Sequence, residues 1–190
     1  IVVSAPGKRH DQDFKITDLL IELGTAYINK EKYKSYYITI MDRFAKIIKD
    51  LTLDDRLIKE IEDRLKAIME LDLSFDEHID HFKSLGEDSS ARILAAYLDA
   101  NGMAASYVNP KEAGIILKED DTGVQLCESS YDQLEQLRDR EDIAVIPGFF
   151  SYTADGSLKT FSRGGSDITG AIVAAGIKAT LYENFTDVDS

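Results

Sequence analysis

TFSRGGSDITGAIVA, residues 160–174, is the stretch from which the fold is read. Thr160 and Phe161 close a short strand that starts at Leu158. Two glycines follow, and Asp167 to Ile177 reads as a helix that Ser166 or Asp167 can cap. A strand passing through glycines into a helix is one joint of a parallel β–α unit. The same stretch can carry chemistry. Gly164 and Gly165 let the backbone approach a ligand closely. The amides of a helix N-terminus favour negative charge, and the planar fork of Arg163 suits a carboxylate or phosphate. The other reading of these residues is an ordinary tight turn with a capping aspartate.

Working outward, the same grammar covers the C-terminal half. Thr180 to Phe185 is expected to be a strand, with Thr186, Asp187 and Asp189 at its end. Closely spaced acids there can approach a metal-bound nucleotide or a ribose, or simply form a surface turn. Upstream, Ala154-Asp155-Gly156-Ser157 is a hairpin turn leading into Leu158 to Phe161. Ile143 to Phe150 is a strand interrupted at Pro147-Gly148, and Ser130 with Gln133 caps a helix running to about Arg140. Ala104 to Val108 and Ile115 to Leu117 read as further strands, and so does Ile1 to Ala5, ended by Pro6-Gly7. The alternation predicts an α/β protein, a mainly parallel sheet covered by helices. In such sheets ligands sit at the carboxyl ends of strands, here after Ala5, Phe150, Phe161 and Phe185.

Residues 16–101 are helical in pattern. Ile16, Leu19, Leu20 and Leu23 share one face, which Gly24 is expected to interrupt. Tyr33 to Leu51 and Leu57 to Met69 continue the period, with Thr52 and Asp55 as a capping box. Ser74 and Glu77 repeat that box ahead of Phe75, Ile79 and Phe82. Ser84-Leu85-Gly86-Glu87-Asp88-Ser89-Ser90 reads as a glycine loop before a helix that stops at Asn101-Gly102. Glu87 there can pair with a ligand ammonium or merely complement a helix start. Ser4, Lys8, Arg9 and Thr17 surround a polar loop, a second place where an anion can be met.

The chain has 190 residues and a formal charge of −13, with 44% apolar and 30% charged residues. That suits a soluble globular domain with a substantial core and argues against disorder. The acidity disfavours nucleic acid and anionic membrane as partners. The single cysteine, Cys127, excludes an internal disulfide framework and fits the cytoplasm. No run is long and apolar enough to span a bilayer, and the N-terminus lacks the form of a signal peptide. A chain that opens on a strand without Met is expected to begin inside a longer protein. There is no GxxxxGK[ST] and no GxGxxG. His78 and His81, flanked by Glu77 and Asp80, lack HExxH spacing and read as a solvated acidic face rather than a zinc pair. Asn184-Phe185-Thr186 matches a glycosylation sequon, a chance match in a chain without a secretory signal.

Together, IVVSAPGKR (1–9), KITDLL (15–20), SLGEDSSARILAAYL (84–98), VIPGFF (145–150), TFSRGGSDITGAIVA (160–174) and YENFTDVDS (182–190) closely resemble the aspartokinase family within the amino acid kinase superfamily. SRGGSD followed by ENFTDVD is the specific combination. The resemblance implies a three-layer α/β/α sandwich and phosphoryl transfer from ATP, accompanied by Mg²⁺, to the side-chain carboxylate of L-aspartate. The product, 4-phospho-L-aspartate, opens the route to lysine, threonine and methionine. It further implies that Arg163 grips the aspartate α-carboxylate, with Ser166 and the Gly164-Gly165 backbone in the same loop. Glu87 would hold the α-ammonium, Thr17 and Ser4 would line the pocket, and Phe149 would form a wall whose backbone also contacts substrate. Asp167 would organise the transfer site, and Thr186 and Asp187 would begin the nucleotide-binding segment. No protein metal ligand is implied among these residues, and a homo-oligomer is expected.

By the same resemblance, residues 1–190 correspond to part of a catalytic domain, incomplete at both ends. Residues 1–150 would be mostly the aspartate side, with the helical region 16–101, and 151–190 the substrate loop and the start of the nucleotide side. The family's opening Lys-Phe-Gly-Gly-Ser loop and its regulatory ACT domains have no counterpart in the sequence, so the segment alone is expected to be inactive. Two other readings stay open: a non-catalytic amino-acid-binding or interaction domain of the same fold, and a kinase for another small amino acid such as glutamate.

Overall fold

The computed structural model describes residues 1–121, 123–161 and 164–185. Strand β1 (Val2–Val3) is followed by four helices, α1 (Ile16–Ile28), α2 (Lys34–Asp50), α3 (Arg56–Met69) and α4 (Phe75–Ala100). Then come β2 (Ala105–Tyr107), β3 (Ile116–Asp120), β4 (Gly123–Leu126) and α5 (Ser129–Leu134), which runs on as a 3₁₀ turn to Asp139. β5 (Ile143–Pro147), β6 (Phe150–Thr153), β7 (Leu158–Thr160) and α6 (Gly165–Gly176) complete the fold.

The helices form because their apolar residues recur on one face. Leu20, Leu23, Ile40, Phe44, Ile48, Ile61, Leu65 and Phe82 meet in one fully buried core. Each such side chain contributes roughly 1.5–3 kcal/mol relative to exposure. Gly24 does not interrupt α1. It lies inside the helix, where a Cβ would come within 2.6 Å of the Phe82 ring, so its role is close packing of α1 on α4. The Thr52–Asp55 box does not form. Thr52 adopts a left-handed φ of 57°, and Asp54 instead accepts from the Arg56 N–H at 2.8 Å. At α4 the second box is present in part: Glu77 accepts from the Ser74 hydroxyl at 2.6 Å and from its backbone N–H. The stop at Asn101-Gly102 is a Schellman pattern, with Gly102 N–H on Asp99 and Met103 N–H on Leu98.

β1, β5 and β2 form a parallel three-stranded sheet in that order. Val145 faces α4, packing with Ala91 and Ala95, while Ile146 faces Leu134 of α5 and Ile172 and Val173 of α6. That alternation across one strand gives the expected three layers, helix, sheet and helix. A second, mixed sheet of order β4-β3-β6-β7 was not anticipated from the sequence. Its β3–β4 hairpin extends the strand expected at 115–117, and its β6–β7 hairpin turns at Ala154–Ser157 as predicted, with Gly156 at φ 97°. β5 and β6 are one run of chain that changes sheets at Gly148-Phe149. Residues 181–185 form no strand; they lie exposed beside α6 and pair with no strand among the described residues. Among the described residues no helix is long and apolar enough to cross a membrane.

Candidate functional site

The carboxyl ends of β1 and β5 converge next to the first turn of α6. Gly148 N–H extends the β1–β5 pairing by donating to Val3 at 2.9 Å. The chain then makes a γ-turn: Phe150 N–H donates back to the Gly148 carbonyl at 2.9 Å, and Phe149 at its centre has φ 73°. This is the rarer, more strained γ-turn form, and a non-glycine residue holds it. A Cβ on Gly148 would lie 2.8 Å from both the Cα and the Cβ of Ser166, so only glycine lets the strand end meet α6. Gly165 is equally constrained, by Phe149 and Phe161.

α6 begins at Gly165, with Gly164 as its N-cap at φ 81°. Neither Ser166 nor Asp167 caps it, contrary to the sequence expectation, because both already lie within the first turn. Asp167 is exposed and accepts from the Asn184 amide at 3.2 Å. Ser4, Ser166 and Asp167 share a groove of about 710 Å³ with Gly170 and residues 181–185. Arg163, Thr186 and Asp187 lie outside the described residues.

Glu87 is the outstanding group. The stretch 84–90, expected as a loop, is the middle of the continuous 26-residue α4. Gly86 is tolerated there because a Cβ would come within 2.8 Å of the Ala5 Cβ; it is a point of close approach, not a breaker. The helix therefore runs directly beneath the end of β1, and Glu87 accepts from the Ala5 backbone N–H. Glu87 is only 5% exposed, and its Oε2 has no hydrogen-bond partner among the described residues. Burial pushes its carboxyl up to about 7, against the opposing pull of the Ala5 N–H. A buried carboxylate with an open oxygen is short of one cation or donor.

Thr17 sits half-buried in the first turn of α1, brought back toward β1 by the Ile16 N–H on the Pro6 carbonyl at 3.2 Å. The intervening loop is tied down by a residue the motifs did not single out. Arg43 of α2, 4% exposed, donates to the Phe14 and Gly7 carbonyls and pairs with Asp13 at 3.1 Å. Hydrogen bonds from Arg9 hold the Asp13 carboxyl well below the usual carboxylate range. Phe149, expected to offer its backbone, has its N–H taken by the Thr169 hydroxyl at 3.1 Å and its carbonyl by the Phe161 N–H at 2.7 Å. What it can still offer a ligand is a second carbonyl lone pair and its ring.

His78 is not on a solvated face. It is buried, stacked on Phe82 with centroids 5.1 Å apart, and its Nε2 bonds the Ile68 carbonyl at 2.7 Å. Cys127 is a free, half-buried thiol. Among the described residues no group of three His, Cys, Asp or Glu stands together to hold a metal ion.

The whole chain, residues 1–190, matches the amino acid kinase family. It is 43% identical, over its full length, to Aspartokinase 3 of Bacillus subtilis and spans 42% of that protein. A crystal structure of aspartate kinase from Clostridium acetobutylicum superposes with a TM-score of 0.80 at 35% identity, covering 99% of this chain and 40% of that one. E. coli aspartokinase III in complex with aspartate and ADP shares the fold at 21% identity, with a TM-score of 0.62 over 94% of this chain and 40% of that one.

Proposed function

We propose a function from one premise: the chain belongs to the amino acid kinase family. It supplies the amino-acid-binding side of an aspartate kinase, in which ATP phosphorylates the side-chain carboxylate of L-aspartate. The product is 4-phospho-L-aspartate, the first step toward lysine, threonine and methionine. The observation that carries this reading is Glu87: a nearly buried carboxylate, beneath the end of β1, whose Oε2 is unpaired among the described residues. The α-ammonium of an amino acid is the partner that oxygen lacks. Acetylated amino acids have no such cation, which disfavours them as substrates.

The rest follows from charge. A free aspartate side chain has a pKa of about 4, so the nucleophile is ionised at neutral pH and needs no general base. One carboxylate oxygen forms a bond to the γ-phosphorus, the bond to the β–γ bridging oxygen breaks, and ADP leaves without any proton transfer. The difficulty is bringing an anion up to a polyanion, and positioning with electrostatics has to solve it. Arg163 grips the α-carboxylate, Ser166 and the Gly164-Gly165 backbone shape the loop, and the N-terminus of α6 contributes its dipole. Ser4 and Thr17 line the pocket, and Phe149 walls it. Asp167, in the same groove as Ser4 and Ser166, organises the transfer end, with Thr186 and Asp187 leading to the nucleotide. Mg²⁺ bound to the phosphates would supply neutralisation of their charge.

Incubating the protein that contains this chain with L-aspartate, Mg-ATP and hydroxylamine is expected to yield the aspartyl hydroxamate. Calorimetry is expected to show aspartate binding that disappears in Arg163→Ala. Hydroxamate from glutamate and none from aspartate would replace the substrate. No heat with any amino acid or nucleotide would leave an interaction domain instead.

A further inference from the structure

Thr169 is fully buried in the second turn of α6. Its hydroxyl donates to the Gly165 carbonyl at 2.8 Å, the back-bond common for a threonine inside a helix. The uncommon part is its other bond: the same oxygen accepts the Phe149 N–H, from a different element, at 3.1 Å. Phe149 is the strained centre of the γ-turn, and such a conformation persists only where its surroundings over-determine it. Its carbonyl is held by a backbone group, the Phe161 N–H. Thr169 is the side chain that holds its N–H. One hydroxyl therefore joins the centre of the γ-turn to the first residue of α6, next to Ser166.

We propose that Thr169 is a positioning residue for the amino-acid substrate: its hydroxyl fixes the spacing between the Phe149 turn and the Gly165-Ser166 helix start. It touches no reacting atom. The identity of the substrate rests on the proposed function, whereas the link between Thr169 and Phe149 does not.

The test compares Thr169→Val, which keeps the shape and removes both bonds, with Thr169→Ser, which keeps the hydroxyl. Two readouts are taken: the KM and kcat for aspartate and ATP, and hydrogen exchange of the Phe149 amide. The Val variant is expected to raise the KM for aspartate about tenfold, as loss of a buried hydrogen-bond pair does, with kcat within about threefold. The KM for ATP stays unchanged and exchange at Phe149 accelerates; the Ser variant restores both readouts. Thr169→Ala replaces the Val variant should that one not fold. An unchanged aspartate KM, a Ser variant as impaired as Val, or an equal rise in the KM for ATP would overturn the proposal. If the wild type ignores aspartate, the proposed substrate falls. The exchange pair still decides the Phe149 link, and the KM comparison is then made with whichever amino acid gives hydroxamate.

Discussion

Among the helices, the buried charged and aromatic-ring polar groups find partners within the fold: Arg43 reaches two backbone carbonyls and Asp13, and His78 reaches the Ile68 carbonyl, although the Ser89 hydroxyl of α4 has no partner among the described residues. Where the ends of β1 and β5 meet α4 and α6, the packing differs. Glu87 lacks a partner for Oε2 among the described residues, Phe149 sits at a left-handed φ, and Gly148 and Gly165 have no room for a Cβ. The first region is built as a core in which Arg43, Asp13 and His78 are paired before any ligand arrives. The second keeps strain and an open hydrogen-bond position that a ligand can complete, and it can do so because α4 belongs to both regions. Stability and binding are therefore expected to respond to different substitutions.

The largest expected effect tests the helical side. Phe44→Ala removes a fully buried ring and should cost about 3–5 kcal/mol in urea unfolding. Aspartate affinity, measured in the cold where the variant is folded, should be unchanged; a matching loss would break the contrast. Next, Gly148→Ala pushes a methyl group against the Ser166 backbone, which cannot swing aside as a side-chain tip can. It should lower aspartate affinity about a hundredfold, roughly 2.7 kcal/mol, with a smaller loss of stability.

Glu87→Gln should move the two properties in opposite directions. The folded carboxyl titrates near 7, above the ordinary glutamate value of 4.5, so the fold holds a proton that the unfolded chain has released between those pH values. Wild-type stability therefore falls as pH rises from 4.5 to 7. At pH 8 the ligand-free Gln variant should be about 1–2 kcal/mol more stable than wild type, because the buried charge is gone but its amide is left partly unpaired. The gain should vanish near pH 4, while aspartate affinity drops at every pH above that. In the wild type, binding an ammonium requires Glu87 to give up its proton. Affinity should therefore tighten up to pH 7 and level off, with about tenfold weaker binding at pH 6 and proton release visible in calorimetry. A flat profile would remove Glu87 from the ammonium site.

Much of the fold was legible because its signals are local. The periodic faces of α1 to α4, the stop at Gly102 and the turn at Gly156 each follow from a few neighbouring residues. Gly24 and Gly86 were misread because a glycine in a helical pattern looks alike whether it ends the helix or makes room for a neighbour. The neighbours that decide it, Phe82 and Ala5, are distant in sequence. The β3–β4 hairpin was missed although Gly123, at φ 111°, is a usable turn signal. The strand expected at 180–185 reads as apolar and β-prone, yet pairing needs a partner edge, which no local pattern supplies. In the site, Glu87 was found by motif, but its burial and its missing partner are properties of packing. Thr169 carried no signal at all, since nothing in SDITG separates an ordinary helical threonine from one that grips another strand.

The passage of a single run of chain from the parallel sheet into the mixed one has a mechanical side. Torsion between the two sheets along β5 and β6 must be absorbed at Gly148 and Phe149, since the ladders on either side are clamped by their neighbours. The same two residues pack against Ser166 and Gly165 at the start of α6. A twist applied far away, at the β6–β7 turn for instance, is geared straight into the helix start whose Ser166 and Asp167 line the groove.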